Sequence, residues 1–148
     1  MKTFLISAFV LSLSLNAGAS ISRIVCVPGY EPMRDEAVIE VIFNRAIDPL
    51  KPVIGSYNLG AVLKLHDKIT GQTYTRSDVV LVPATSMDDV NLRGGAAGMV
   101  HIRVNPVLKN GAFMGRYTGD LFINDLDSRN YYNLTGTPLE PGIVCETR

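Results

Sequence analysis

The two cysteines and two histidines are the residues of this 148-residue chain whose side chains are best suited to chemistry. Cys26 and Cys145 each end an Ile-Val-Cys tripeptide, one near the start of the chain and one near its end. Neither belongs to a Cys-x-x-Cys motif and neither has a histidine close by in sequence, so the spacing does not favour a zinc site or an activated thiol. The pair predicts a structural disulfide between the first and last strands of one domain.

The first residues of the chain bear on whether that disulfide can form. Residues 1–19 have the composition of a secretory signal peptide: Lys2 is followed by an apolar run that ends at Leu15, and small residues stand at Ala17 and Ala19. The apolar run is too short for a membrane anchor. We therefore expect residues 1–19 to be a signal peptide and residues 20–148 to form one domain, periplasmic or extracellular, where disulfides persist. No later apolar run is long enough to predict a membrane span.

Catalysis would require a histidine beside a nucleophile and an orienting acid. His66 and His101 both fall on the polar faces of predicted strands. Side chains that could complete such an arrangement are Ser77, Ser86, Asp78 and Asp88. Nothing in their spacing selects it, and the chain has no G-x-S-x-G, H-E-x-x-H or Walker motif. The sequence therefore predicts no catalytic residue and no cofactor.

A calcium site is the alternative that the carboxylates leave open. Asp125 and Asp127 lie two residues apart, as in a D-x-D cluster of oxygen ligands. An EF-hand loop would also need a glycine at its sixth position and a glutamate at its twelfth, where this chain has Asn130 and Gly136. Polar residues of a turn between two strands explain the same segment without an ion.

Alternating apolar and polar residues predict a chain made of short strands. Ala37, Ile39, Val41 and Phe43 share one strand face, and Asn110-Gly111 is typical of a two-residue hairpin turn. The predicted strands cover residues 21–27, 36–44, 61–67, 72–76, 79–82, 99–104, 112–123, 131–135 and 142–146. Short strands with regular turn signals favour an all-β fold, which we expect to be a single-domain antiparallel β-sandwich, immunoglobulin-like or a related Greek key.

On a sandwich, the long loops are the expected binding elements. Residues 83–98 carry an acidic pair, a basic residue and several glycines, and residues 44–60 carry a basic residue and a tyrosine. Two adjacent tyrosines near the end of the chain could form a platform for a sugar or peptide, or pack half-buried. The candidate binding residues are therefore Asp88, Asp89, Arg93, Arg45, Tyr57, Tyr131 and Tyr132.

Composition narrows the choice of partner. Lys and Arg number 14, as do Asp and Glu, so the chain has no basic excess for nucleic acid. We expect an exported, non-enzymatic protein that binds another protein or has a structural or assembly role, including self-association through an edge strand. The alternatives are an inhibitor or accessory factor of an enzyme acting through a surface loop, and a small secreted hydrolase or calcium-dependent binding module.

Overall fold

The computed structural model describes residues 20–48, 59–82, 90–94, 99–126, 129–137 and 139–148. These residues form nine strands and one short 3₁₀ helix, and no helix among them is long and apolar enough to cross a membrane. In chain order the elements are β1 (Ile21–Pro28), the 3₁₀ helix η1 (Glu31–Met33), β2 (Ala37–Ile47), β3 (Leu59–Asp67), β4 (Thr73–Val82), β5 (Val90–Gly94), β6 (Val100–Lys109), β7 (Ala112–Asp125), β8 (Asn130–Leu134) and β9 (Ile143–Thr147).

Eight of these strands close into one antiparallel β-barrel. The first seven strands pair in chain order, from β1 with β2 to β6 with β7. Strand β9 then pairs with both β7 and β1 and completes the ring. Strand β8 pairs with β7 alone and lies outside the ring. The prediction of an immunoglobulin-like β-sandwich is therefore wrong, although the all-β class is correct.

The sandwich prediction failed because the alternation of apolar and polar residues along a strand does not show whether the sheet closes into a barrel. Residues alternate between a buried and an exposed face in a sandwich and in a barrel alike. The decisive evidence for a sandwich would be long connections that cross between two sheets. Residues 44–60 and 83–98 are predicted above to be long loops, but β2 continues to Ile47, β3 begins at Leu59, and β5 lies within the second stretch.

The inside of the barrel is packed with apolar side chains from all eight ring strands. Those with no more than 1% exposure include Ile24, Ile39, Val41, Leu63, Leu65, Leu81, Leu92, Ile102, Leu121, Ile123 and Ile143. Tyr117 is also fully buried, with its ring centroid 5.0 Å from that of Phe113. Burial raises the pKa of Tyr117, and its hydroxyl has no hydrogen-bond partner within the described part of the chain. The barrel is thus a filled core, as small eight-stranded barrels generally are.

The predicted disulfide is confirmed, and it lies inside this core. Cys26 on β1 and Cys145 on β9 are directly opposite each other, 119 positions apart in the chain, with their Cα atoms 3.9 Å apart. Both side chains are fully buried. The bond joins the two strands where the end of the chain returns to its beginning, so it crosslinks the seam that closes the barrel.

Removing the disulfide should lower stability without changing the fold. We expect the double variant Cys26→Ala/Cys145→Ala to lose about 2–5 kcal/mol of unfolding free energy, because the unfolded chain regains the freedom of a long closed loop. Urea unfolding followed by far-ultraviolet circular dichroism would measure the loss. The double valine variant is the control for lost side-chain volume. Unfolding midpoints equal to that of the parent protein in both variants would contradict a stabilising role.

Candidate functional site

Strand β7 carries two strands end to end along one of its edges. Its residues 116–119 pair with β9, and its residues 121–125 pair with β8. Strand β9 has β1 as its second neighbour, whereas β8 has no second strand neighbour among the described residues. One edge of β8 therefore has no strand beside it in the described part of the chain.

The connection between β8 and β9 is a tight loop, residues 135–142, of which all but residue 138 are described. A Cβ on Gly142 would lie 1.8 Å from the carbonyl oxygen of Leu134, so only glycine allows the two strand ends to approach this closely. The Asp120 carboxylate accepts a 2.7 Å hydrogen bond from the Gly136 N–H, and the Thr137 hydroxyl accepts one of 3.1 Å from the Glu140 N–H. These contacts fix the loop against β7.

A groove of about 230 Å³ lies at the end of β8, and about half of its lining residues belong to the loop 135–142. Pro28, Tyr30 and Met33 line it on the side of β1 and η1, and Asn133 and Leu134 line it on the side of β8. We call these five residues the β8 groove. Tyr30 is 52% exposed and Met33 is 37% exposed. Exposed apolar side chains thus stand near the end of a strand that has no second strand neighbour among the described residues, and an added strand would use both features.

A second groove, of about 450 Å³, lies on the other side of the same loop. Its side chains are mostly polar: Asn105, Thr118, Asp120 and Thr137 line it together with Pro141. One Asp120 oxygen is already engaged by the Gly136 N–H. Because no aromatic ring lines this groove, it lacks the stacking surface that sugar sites commonly use.

The two adjacent tyrosines of β8 point to opposite sides of the barrel wall. Tyr131 is 61% exposed and meets Phe122 edge to face, with ring centroids 6.0 Å apart. Tyr132 packs against the core, and its pKa is raised by burial and by the nearby Asp67 carboxylate. The pair does not form one joint platform, because neighbouring residues of a strand alternate between its two faces. Of the two, only Tyr131 is largely exposed to solvent.

Asp125 is the buried centre of a polar cluster at one end of the barrel. Its Oδ2 accepts hydrogen bonds of 2.9 Å from the Tyr74 hydroxyl and of 2.9 Å from the Arg76 guanidinium. Arg76 also donates two bonds, 2.6 and 2.7 Å long, to Asp78, which raise the pKa of Arg76. Burial and the bond to Asp125 raise the pKa of Tyr74. The cluster ties β4 to β7 across the barrel.

These contacts bear on the calcium alternative. One Asp125 oxygen already receives two donors, one of them a guanidinium, which is a poor setting for a cation ligand. Asp127 lies outside the described residues. No group of three histidine, cysteine or acidic side chains placed to hold a metal ion is found within the described ranges.

The histidines lie in separate parts of the barrel wall. The Nδ1 atom of His66 is 3.0 Å from the Thr73 hydroxyl, and Nε2 of His101 is 3.1 Å from the Asn91 amide oxygen. Neither is hydrogen-bonded to a serine or a carboxylate in the described part of the chain. Ser86 and Asp88, which a catalytic arrangement could have used, lie outside it. His66 thus contacts a threonine hydroxyl, but among the described residues no carboxylate is hydrogen-bonded to either histidine.

The candidate loop residues have different outcomes. Arg93 lies exposed on β5, opposite His101 of β6, and Arg45 lies exposed on β2. Asp88, Asp89 and Tyr57 are outside the described residues. The sequence prediction missed Tyr30 and Met33 of the β8 groove. The signal that could have revealed them is that both are large apolar side chains in the non-strand segment after Pro28-Gly29.

Breaking the Asp125 cluster should destabilise the barrel. We expect Asp125→Asn to cost about 1–3 kcal/mol of unfolding free energy, because the Arg76 guanidinium and the Tyr74 hydroxyl lose a charged acceptor. The exposed substitution Asp35→Asn makes the same charge change and is the matched control. Urea unfolding would measure both variants, and equal midpoints would show that the cluster contributes nothing specific.

The environment of His101 should lower its pKa measurably. Burial is the largest cause, and the positive charges of Arg93 and Arg103 lower the pKa of His101 further. We expect an NMR titration to give a pKa below the model-peptide value of 6.5, and Arg93→Gln to raise it, with Lys109→Gln as the control. Since the unfolded chain takes up this proton at higher pH, His101 should destabilise the protein as the pH falls through about 6.5. A pKa above 6.5 would contradict this.

Comparison of the chain with protein-family models, with curated proteins and with solved structures finds no match in any of the three. Function therefore has to be inferred from the surfaces that the fold presents. The free side of β8 is the most distinctive of them, because β8 is the one described strand that has a single strand neighbour.

Proposed function

We propose that the protein is an exported, non-enzymatic binding protein whose strand β8 takes up an extended segment of a protein partner. The observation that carries the proposal is that β8 has no second strand neighbour among the described residues, while its end at Asn133 and Leu134 lines a groove with the exposed side chains of Tyr30 and Met33. Added strands obtain affinity from main-chain hydrogen bonds and specificity from pockets for alternate side chains. The β8 edge supplies the first and the β8 groove supplies the second.

The sequence of β8 supports this use of its edge. Natural proteins protect exposed strand edges with lysine, proline, inward-pointing charges or bulges. Strand β8 reads Asn-Tyr-Tyr-Asn-Leu, with no charge and no proline. Its inward residues Tyr132 and Leu134 pack against the core, so the strand is held in place while its edge stays open.

Export rests on the sequence of residues 1–19 and on the disulfide. The apolar run and the small residues before Ser20 fit a signal peptide. A buried Cys26–Cys145 bond fits folding in an oxidising compartment. Both observations support a periplasmic or extracellular protein.

A second candidate function, an inhibitor or accessory factor of an enzyme, is favoured by the hairpin of β6 and β7. Among the described residues, the pairing of β5 with β6 ends at Val104 and that of β9 with β7 begins at Arg116, so most of the hairpin 105–115 has no second strand neighbour there. Asn110 and Gly111 form the tip with positive φ angles of 53° and 78°. The arms expose Val107, Leu108 and Met114. A projecting apolar hairpin could enter the cleft of an enzyme.

One experiment separates the two candidates. The purified protein is used to select binders from a random dodecamer peptide library displayed on phage, and an enriched peptide is synthesised. We expect bound peptide to slow amide hydrogen exchange in residues 130–134. Met33→Asp should weaken binding about tenfold or more, because a buried charge opposes an apolar contact.

Leu108→Asp on the hairpin is the matched control, since both side chains are exposed and both variants gain one charge. It should leave the peptide affinity unchanged. The reverse pattern would assign binding to the hairpin and contradict the β8 proposal. A library that yields no specific binder would also contradict the β8 proposal, as would slowed amide hydrogen exchange that is confined to the strands of the ring.

A further inference from the structure

A third groove, of about 290 Å³, lies on the outer face of β1, β9 and β7. Its apolar floor consists of three half-buried valines, Val25, Val27 and Val144. Around this floor stand the exposed side chains of three arginines, Arg34, Arg116 and Arg148. We call these six residues the arginine groove.

Strand register places the groove residues together. Val27 is opposite Val144, and Val25 is opposite Glu146, which is in turn opposite Arg116. Their inward neighbours on the same strands are Cys26 and Cys145, so the disulfide holds the floor of the groove together from inside the barrel. The arrangement is therefore part of the rigid wall.

The charge of the groove stands out against that of the chain. Acidic and basic residues balance over the whole sequence, with a formal net charge of +0. The groove, in contrast, brings three arginines to one acidic side chain, Glu146. Arg34 forms a 2.6 Å ion pair with the exposed Glu31, whereas Arg116 and Arg148 have no ion pair within the described ranges. Their guanidinium groups remain available to an anionic ligand.

The chemistry of the lining indicates what this ligand carries. A guanidinium presents paired N–H donors that match the two oxygens of a carboxylate. The valine side chains offer no hydrogen bond and favour apolar groups. A ligand that satisfies both has carboxylates next to apolar side chains, which is the composition of an acidic protein segment containing aliphatic residues.

We propose that the arginine groove is a second binding site, for an acidic, aliphatic segment of a protein. The segment places its carboxylates on Arg116, Arg148 and Arg34 and an aliphatic side chain on the valine floor. This site does not depend on strand addition at β8, because it uses side chains on the outer face of other strands.

Substitution of Glu146 provides a direct test of the proposal. The side chain of Glu146 lines the groove beside that of Arg116 and repels an acidic ligand, so Glu146→Gln should tighten binding. A gain of affinity cannot result from a damaged fold. Arg116→Gln should weaken binding, since a charge-assisted hydrogen bond is lost.

The test uses the pentapeptide acetyl-Glu-Val-Glu-Val-Glu-amide as probe and its Gln-Val-Gln-Val-Gln counterpart as control. Titrations at low salt are followed by the NMR signals of the methyl groups of Val25, Val27 and Val144. We expect saturable shifts with the acidic peptide and none with the neutral one. Affinity should fall about tenfold in Arg116→Gln and rise severalfold in Glu146→Gln.

Lys109→Gln, at the tip of the projecting hairpin, removes the same charge away from the groove and should leave affinity nearly unchanged. Equal affinities for the two peptides, or shifts that avoid the three valines, would overturn the proposal. A parallel arm measures sedimentation with vesicles of phosphatidylcholine and phosphatidylglycerol. Binding to these vesicles that depends on Arg116, without binding of the acidic peptide, would assign the groove to a membrane surface and overturn the proposal as well.

Discussion

The pairing of β9 with two strands at once is the interaction on which the rest of the structure depends. Its five residues pair with β1 along one edge and with β7 along the other, and they carry Cys145. Without them the first and seventh strands would be two open edges of a curled sheet. With them every ring strand has two neighbours, and the apolar side chains of all eight face a single interior.

The length of β7 explains why one strand, β8, remains outside the closed ring. Strand β7 has 14 residues and β9 has five, so the ring uses only part of the β7 edge. Strand β8 occupies the remainder and finds no partner on its other side among the described residues. Two of the three grooves share the loop that joins β8 to β9 at this mismatch.

Local patterns in the sequence predicted the local structure well. Alternation identified most strands, the Asn110-Gly111 pair predicted a hairpin turn, and the two cysteines predicted the disulfide. Strand β5 was missed because its residues 90–94 are followed by a run of small residues and glycines that is typical of a loop. Closure was missed because it depends on pairing between strands at opposite ends of the chain.

The candidate site was harder to predict than the fold for the same reason. Asp125 was considered beside its sequence neighbour Asp127, but its actual partners, Tyr74 and Arg76, lie 51 and 49 positions away. The β8 groove joins residues near the start of the chain to residues near its end. The arginine groove likewise combines Arg34 with Arg116 and Arg148. The spacing of residues in the sequence does not show which distant residues come together in the fold.

The position of β8 outside the ring has a consequence for how the protein opens. Detaching β8 from β7 breaks one strand pairing and leaves the pairing of all eight ring strands intact. Local openings cost less than global unfolding when few contacts are lost. The amides of β8 should therefore exchange with solvent through a local opening that costs less free energy than global unfolding, while the disulfide-crosslinked ring stays folded. We therefore expect the barrel and its extra strand to behave as two cooperative units of unequal stability.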